Sequence, residues 1–141
     1  MEADKRGAYE ADAPTIGFNM RLPHEQDPNP DTTPALTFRL HYFAMRKMLF
    51  AMGAKVLVVF PGGFGTFDEL LELVTLAQTG KAPAMPTVLV DEGYWREVVN
   101  WEALAEAGII ASSDLNLATF AADGVDACRR PQQSGLRISD G

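Results

Sequence analysis

The chain has 141 residues, 47% hydrophobic and 22% charged, and 12 Lys+Arg against 19 Asp+Glu give it a formal net charge of −7. This is the composition of one ordinary soluble domain, and its acidity argues against sequence-independent nucleic-acid binding, which depends on neutralising phosphates. The single Cys128 excludes an internal disulfide and a cysteine-based metal cluster and fits a reducing cytoplasm, and no apolar run approaches the roughly 20 residues of a membrane span.

The N-terminal third begins with a helix-compatible stretch at residues 1–10 and a predicted strand at residues 15–20, where apolar side chains alternate. Residues 21–34 hold four prolines and are predicted to be a loop. Residues 36–52 contain no helix breaker before Gly53, so they predict one continuous helix. Most of its circumference is apolar, which is typical of a helix packed on two sides.

The rest of the chain alternates between strand and helix patterns. Strands are predicted at the short apolar runs of residues 56–60, 86–91 and 115–120. Helices are predicted at residues 66–79, 94–107 and 123–128. This alternation predicts an α/β fold with a parallel sheet, in one domain over residues 1–128. Residues 129–141 lack periodicity and are predicted to be a flexible tail.

A glycine-rich segment, Pro61-Gly62-Gly63-Phe64-Gly65, links the first of these strands to its helix. In this glycine turn (residues 61–65) the three glycines are free to take positive φ and to let a ligand approach the backbone. A strand, a glycine turn and a helix N-terminus together hold an anion, usually phosphate, on free N–H groups. The turn is neither a Walker A loop nor a GxGxxG fingerprint. It predicts binding of a phosphorylated ligand.

Two interpretations of Glu69 are open. Thr66 and Glu69 have the Thr-x-x-Glu spacing of a capping box, which would explain Glu69 by helix initiation alone. Alternatively, Glu69 is a carboxylate at the base of a phosphate pocket, where it would stabilise an oxocarbenium-like state during N-glycosidic cleavage. Asp68 is interpreted as an acidic residue of the first helical turn, where the helix dipole favours negative charge. Glu72 is interpreted as a solvent-exposed residue, although it could line the same pocket.

Arg46 also has two interpretations, because a cation on an apolar helix is costly to bury without a partner. It could form an internal ion pair with Glu69 or Asp91, or it could contact a phosphate or base. Arg39, seven residues earlier, falls on the same line of the predicted helix and is interpreted as a surface charge. Neither histidine has metal-ligand spacing, and no lysine context suggests a pyridoxal phosphate Schiff base.

The string PGGFGTFDE at residues 61–69 resembles the PGGxGTxxE signature of the LOG family. These are the cytokinin riboside 5′-monophosphate phosphoribohydrolases, many of them long mislabelled as lysine decarboxylases. Arg46-Lys47 is similar to the Arg-Lys pair on the family's preceding helix. Residues 22–26 and 76–81 also resemble segments of family members. The resemblance covers about residues 1–128 and implies a Rossmann-like, doubly wound parallel sheet with helices on both faces.

Family members carry two further strands and a second glycine-rich loop ahead of the matched region. The resemblance therefore implies a chain that lacks the first two strands of the sheet, either as a fragment or through a late start codon. The expected sheet would then expose apolar strand edges.

The activity implied by the resemblance is hydrolysis of the N-glycosidic bond of a nucleoside 5′-monophosphate, either a cytokinin riboside 5′-monophosphate or AMP. A non-catalytic nucleotide- or phosphate-binding fragment is the rival expectation. Catalysis is assigned to Arg46 and Glu69. Phosphate and substrate binding is assigned to Gly62, Gly63, Gly65, Thr66 and Lys47. The resemblance implies no metal and no redox cofactor, and it implies a homodimer packed through two apolar helices. The acidic composition and the lack of a long apolar run predict no nucleic-acid partner and no membrane partner.

Overall fold

The computed structural model describes residues 2–20, 32–82 and 85–133, in two compact units, Met1–Met52 and Gly53–Gly141. The helices are α1 (Glu2–Glu10), α2 (Phe43–Gly53), α3 (Phe64–Gln78), α4 (Glu92–Val98), α5 (Trp101–Glu106) and α6 (Gly124–Gln133). The strands are β1 (Gly17–Met20), β2 (Thr37–Leu40), β3 (Leu57–Val59), β4 (Thr87–Val90) and β5 (Thr119–Ala121). Short 3-10 helices occupy Pro34–Leu36 and Ser112–Leu117.

The first unit contains a parallel pair of strands, β1 and β2. Thr15 and Thr33 brace the start of this pair, because the backbone N–H of each donates to the hydroxyl oxygen of the other at 2.9 Å. Within the pair, Phe18 stacks on Phe38 with ring centroids 5.8 Å apart. The predicted strand at residues 15–20 is therefore confirmed, with β2 as its partner.

Strand β2 shows that the prediction of one helix over residues 36–52 is wrong. The helical part begins only at Phe43, because Thr37 and the residues after it pair with β1. β-Branched and aromatic residues gain cross-strand contacts that a local helix pattern does not reveal. The shared helical line predicted for Arg39 and Arg46 is also wrong, since Arg39 lies on β2.

The second unit is a three-stranded parallel sheet in the order β3-β4-β5. The central strand β4 is buried along its whole length, as expected of an apolar strand covered on both faces. Leu89 packs with Leu70 of α3 and Trp95 of α4, whereas Val90 packs with Ala127 of α6. Helices therefore cover both faces of this sheet. The predicted α/β class is confirmed, and the described strands form two sheets rather than one.

The predicted helix at residues 94–107 is wrong in detail, because it is two helices, α4 and α5. Val99 is extended, with φ −137° and ψ 122°. Asn100 then caps α5, and its side chain accepts the Ala103 N–H at 3.0 Å. The apolar periodicity continues across this break, so the pattern alone did not reveal it. Of the strand predicted at residues 115–120, only the end forms β5, and a 3-10 helix precedes it.

The C-terminal helix α6 extends past residue 128 to Gln133. Residues 129–133, predicted as tail, are therefore helical, and residues 134–141 lie outside the described residues. Residues 21–31 of the predicted proline loop also lie outside them.

No helix in the described part of the chain is long and apolar enough to cross a membrane. The cytoplasmic location stays a prediction.

Candidate functional site

The glycine turn lies at the carboxyl edge of the sheet, after the end of β3, and it includes the first two residues of α3. In open α/β sheets, ligands bind in the crevice outside the carboxyl ends of the strands. The N-terminus of α3 also carries the positive end of the helix dipole. Topology therefore puts the predicted phosphate-binding segment where an anion would be stabilised.

The start of α3 differs from the sequence prediction. Gly63 is the N-cap, no side chain caps the helix, and both Thr66 and Phe67 donate their backbone N–H to the Gly63 carbonyl oxygen, at 2.9 and 3.1 Å. The predicted capping box is therefore wrong, and Glu69 lies inside the helix rather than at its cap. The N–H groups of Phe64 and Gly65 precede the first intrahelical donor, the Thr66 N–H, and therefore have no acceptor within the helix.

The three glycines of the turn differ in the space that surrounds each of them. None of Gly62, Gly63 and Gly65 has a positive φ, so the turn does not use the left-handed conformation that glycine allows. A Cβ on Gly62 would lie 2.8 Å from the Thr66 Cβ, so packing inside the turn requires glycine there. A Cβ on Gly63 or Gly65 would meet nothing within 4 Å. At these two positions the missing side chain leaves space beside the backbone of the first helical turn.

Three carboxylates lie on α3, and they differ in burial. Glu69 is partly buried and directly precedes the fully buried Leu70. Asp68 and Glu72 are exposed. Glu69 also lies four residues after Gly65, which puts it on the same side of the helix as the turn. With the capping explanation removed, Glu69 is the carboxylate of α3 best placed to reach a ligand in the turn.

Tyr94 contacts the glycine turn and was missed in the sequence analysis. Its hydroxyl donates to the carbonyl oxygen of Gly62 at 2.6 Å, across 32 residues of sequence. Its ring meets Trp95 edge-on, with centroids 5.2 Å apart, and Trp95 in turn donates its indole N–H to the Val90 carbonyl at 2.9 Å. No local motif marks such a contact, because it joins two different strand–helix junctions.

Asp91 holds the backbone of Tyr94 in place from the end of β4. Its side chain accepts the Tyr94 N–H at 3.2 Å, and its own N–H donates to the Ala121 carbonyl at 2.9 Å. Asp91 has φ 70° and ψ 78°, a left-handed conformation that short polar residues tolerate better than alanine does. The carboxyl ends of β4 and β5 and the glycine turn are thus linked through Asp91 and Tyr94.

We expect Asp91→Ala to lower the free energy of unfolding by about 1–2 kcal/mol, because it removes a helix cap and puts a Cβ-bearing residue without a polar side chain at positive φ. Asp91→Gly should cost less, since glycine accepts this φ freely. Urea denaturation of both variants measures the difference. Equal losses in the two variants would show that the left-handed backbone is not under strain.

The predicted site residues fall into two groups in the structure. The three glycines, Thr66 and Glu69 lie at the β3–α3 junction of the second unit. Arg46 and Lys47 lie on α2 in the first unit. Lys47 is partly buried, and the side chain of Arg46 lies outside what the structure describes, as do the ion pairs predicted for it.

A cavity of about 280 Å³ lies elsewhere in the second unit, and neither the glycine turn nor Glu69 lines it. Its walls come mainly from α3, α5 and the segment before β5, with Arg96 on one side. Arg96 is held by Glu92 and Glu102 at 2.6 and 2.7 Å, and its hydrogen bond lowers the pKa of Glu102.

Among residues 2–20, 32–82 and 85–133, no group of three acidic, histidine or cysteine side chains could hold a metal ion.

A model of the family described as "Possible lysine decarboxylase" matches residues 1–130. The chain belongs to this family, the LOG family. The match covers the β3–α3 junction with its PGGxGTxxE string as well as the Arg46-Lys47 pair on α2. The family resemblance seen in the sequence is therefore confirmed.

Two curated relatives of this LOG-family chain come from Arabidopsis thaliana. The cytokinin riboside 5′-monophosphate phosphoribohydrolase LOG1 is 34% identical over 67 residues, which are 47% of this chain and 32% of LOG1. The cytokinin riboside 5′-monophosphate phosphoribohydrolase LOG4 is 32% identical over 69 residues, which are 48% of this chain and 32% of LOG4. The matched region spans about a third of the length of these relatives.

Proposed function

We propose that this LOG-family chain hydrolyses the N-glycosidic bond of a nucleoside 5′-monophosphate and releases the free base and ribose 5-phosphate. The observation that carries the proposal is the β3–α3 junction, where Gly63 and Gly65 leave open space and the partly buried Glu69 follows on the same side of the helix. The names of the two relatives support this reaction rather than a decarboxylation.

The 5′-phosphate would bind at the N-terminus of α3. The N–H groups of the first helical turn and the helix dipole favour an anion there, and the spaces beside Gly63 and Gly65 let it approach the backbone. Thr66 would contribute its hydroxyl, because its backbone N–H already donates to the Gly63 carbonyl. Gly62 supports the turn from within by leaving room for the Thr66 side chain.

Glu69 would act at the ribose. In the reaction the bond between C1′ and the base nitrogen breaks, positive charge develops on the ribose, and water adds to C1′. The Glu69 carboxylate stabilises that charge and accepts a proton from the water, while the leaving base takes up a proton. Arg46 and Lys47 supply positive charge for the phosphate or base, as their match to the family pair implies.

Base release by the purified chain tests this function. AMP and an N6-substituted AMP should yield free base and ribose 5-phosphate in equal amounts, measured by liquid chromatography. Adenosine lacks the phosphate and should be cleaved far more slowly. Equal cleavage of adenosine and AMP would contradict the phosphate role of the glycine turn. Binding of AMP without base release would support the rival, a non-catalytic nucleotide-binding protein.

We also propose a homodimer that packs through α2. This helix exposes four apolar side chains at positions i, i+3, i+4 and i+7, each 37–77% accessible, namely Met45, Met48, Leu49 and Met52. An exposed apolar stripe of this spacing is typical of a helix that packs against a partner. The occupant we propose is the same stripe of a second copy, as in a symmetric dimer.

Met48→Glu should therefore convert the dimer into a monomer, because it puts a charge in the centre of the apolar contact. Sedimentation equilibrium measures the mass of each form. Ile109→Glu is the matched control, since Ile109 is an exposed apolar residue of the second unit outside this stripe. A monomeric parent chain, or a Met48→Glu variant that stays dimeric, would contradict this interface.

A further inference from the structure

We infer that Tyr94 is a positioning residue for the glycine turn, and that its hydroxyl aims the Gly63 N–H at the bound phosphate. The inference rests on the proposed function, because it assigns one donor of the proposed phosphate site. It concerns the 2.6 Å hydrogen bond from the Tyr94 hydroxyl to the Gly62 carbonyl oxygen, which neither the glycine signature nor the Arg-Lys pair includes.

The geometry of the peptide bond carries the first step. The Gly62 carbonyl and the Gly63 N–H belong to the same planar peptide unit, and in a trans peptide they point in opposite directions. Neither residue takes part in a cis bond. Because Tyr94 holds the carbonyl on the side of α4, the Gly63 N–H must point away from α4. Gly63 is exposed, and a Cβ there would meet nothing within 4 Å, so the backbone next to this N–H is not crowded by the protein.

The hydrogen bond also makes the Gly63 N–H a better donor. A donor at a carbonyl oxygen polarises the whole peptide unit, and hydrogen-bond chains strengthen one another in this way. An anion on the N–H side would complete such a chain, from the Tyr94 hydroxyl through the peptide to a phosphate oxygen. Tyr94 would thus influence phosphate binding without touching the phosphate.

Tyr94 is itself held firmly enough to impose this orientation. Its backbone N–H donates to the Asp91 side chain, and its ring meets Trp95, which is fully buried. Asp91 is tied in turn to the Ala121 carbonyl at the end of β5. The orientation of the Gly62–Gly63 peptide is therefore fixed by contacts with the carboxyl ends of β4 and β5, and not only by the conformation of the glycine turn itself.

Tyr94→Phe tests the inference, because it removes the hydroxyl and keeps the ring against Trp95. We expect the Kd and the KM for AMP to rise about tenfold, roughly the effect of one misdirected hydrogen bond, with kcat changed less than about twofold. In the free protein the Gly63 amide resonance should shift, because the hydroxyl no longer polarises its peptide unit. Tyr9→Phe is the control, since Tyr9 is an exposed residue of the first unit.

The Kd is taken from an NMR titration of the folded protein with AMP, so a loss of folded protein lowers signal intensity and leaves the Kd unchanged. An unchanged Kd and Gly63 resonance in Tyr94→Phe would overturn the role of Tyr94 while leaving AMP hydrolysis by the parent chain intact. If the parent chain binds AMP without hydrolysing it, the proposed reaction is wrong and the Kd of Tyr94→Phe still decides the inference. No AMP binding by the parent chain would overturn both.

Discussion

Replacing Glu69 by Gln should lower base release from AMP at least about 100-fold, the usual scale for losing a general acid–base group, while the fold persists. Glutamine keeps the size of the side chain but neither balances positive charge on the ribose nor takes a proton from water. Stability should change little, because Glu69 is not a helix cap. Steady-state kinetics with AMP measures kcat, and circular dichroism on heating checks the fold.

Glu72→Gln is the matched control for this substitution. Glu72 lies on the same helix, three residues later, and is exposed, so its loss should change kcat less than about twofold. If Glu69→Gln retains base release, the carboxylate of the reaction is elsewhere. If both variants lose activity equally, the loss of activity comes from the reduced negative charge of α3 as a whole and not from the position of the Glu69 carboxylate.

Gly65→Ala should raise stability and weaken phosphate binding at the same time. A Cβ at Gly65 meets nothing in the protein, and alanine in place of glycine inside a helix stabilises by about 0.5–1 kcal/mol. The same Cβ would occupy space that the phosphate needs, so the Kd for AMP should rise at least about tenfold, or 1.4 kcal/mol. Thermal melting and calorimetric titration measure the two opposite effects.

Gly62→Ala provides the contrast, since a Cβ there would collide with the Thr66 side chain. This variant should lose stability by about 1–3 kcal/mol, as overpacked sites do. A Gly65→Ala protein that is more stable and binds AMP as tightly as the parent would contradict the position of the phosphate. Destabilisation by Gly65→Ala would show that the turn is packed more tightly than its open space indicates.

The parts of the fold that follow from local pattern were predictable from sequence. Strand β4 is an unbroken apolar run, and burial on both faces is what such a run requires. The C-terminal end of α3 was marked by Thr79 and Gly80, and Gly80 does adopt a positive φ of 67°. Family membership followed from one short string and one residue pair, because that combination is specific.

The parts that depend on distant partners were not predictable. Strand β2 lies inside a stretch without helix breakers, and only pairing with Gly17–Met20 decides its conformation. The Thr-x-x-Glu spacing suggested a helix start at Thr66, but the Gly63 carbonyl accepts both early N–H groups and moves the cap three residues back. Tyr94 and Gly62 are separated by 32 residues, and their hydrogen bond exists only once two strand–helix junctions are side by side.

A phosphate site built from main-chain groups, as proposed for the glycine turn, would affect how substrate range can diversify. In the proposed site the glycine turn would bind the 5′-phosphate through backbone N–H groups, so this contact would not depend on which base is attached to the ribose. Substitutions that reshape the pocket around the base can then accumulate without altering the phosphate anchor. Under the proposed function, new base preferences could evolve on an unchanged β3–α3 junction, and engineering of substrate range would leave the glycines of the turn untouched.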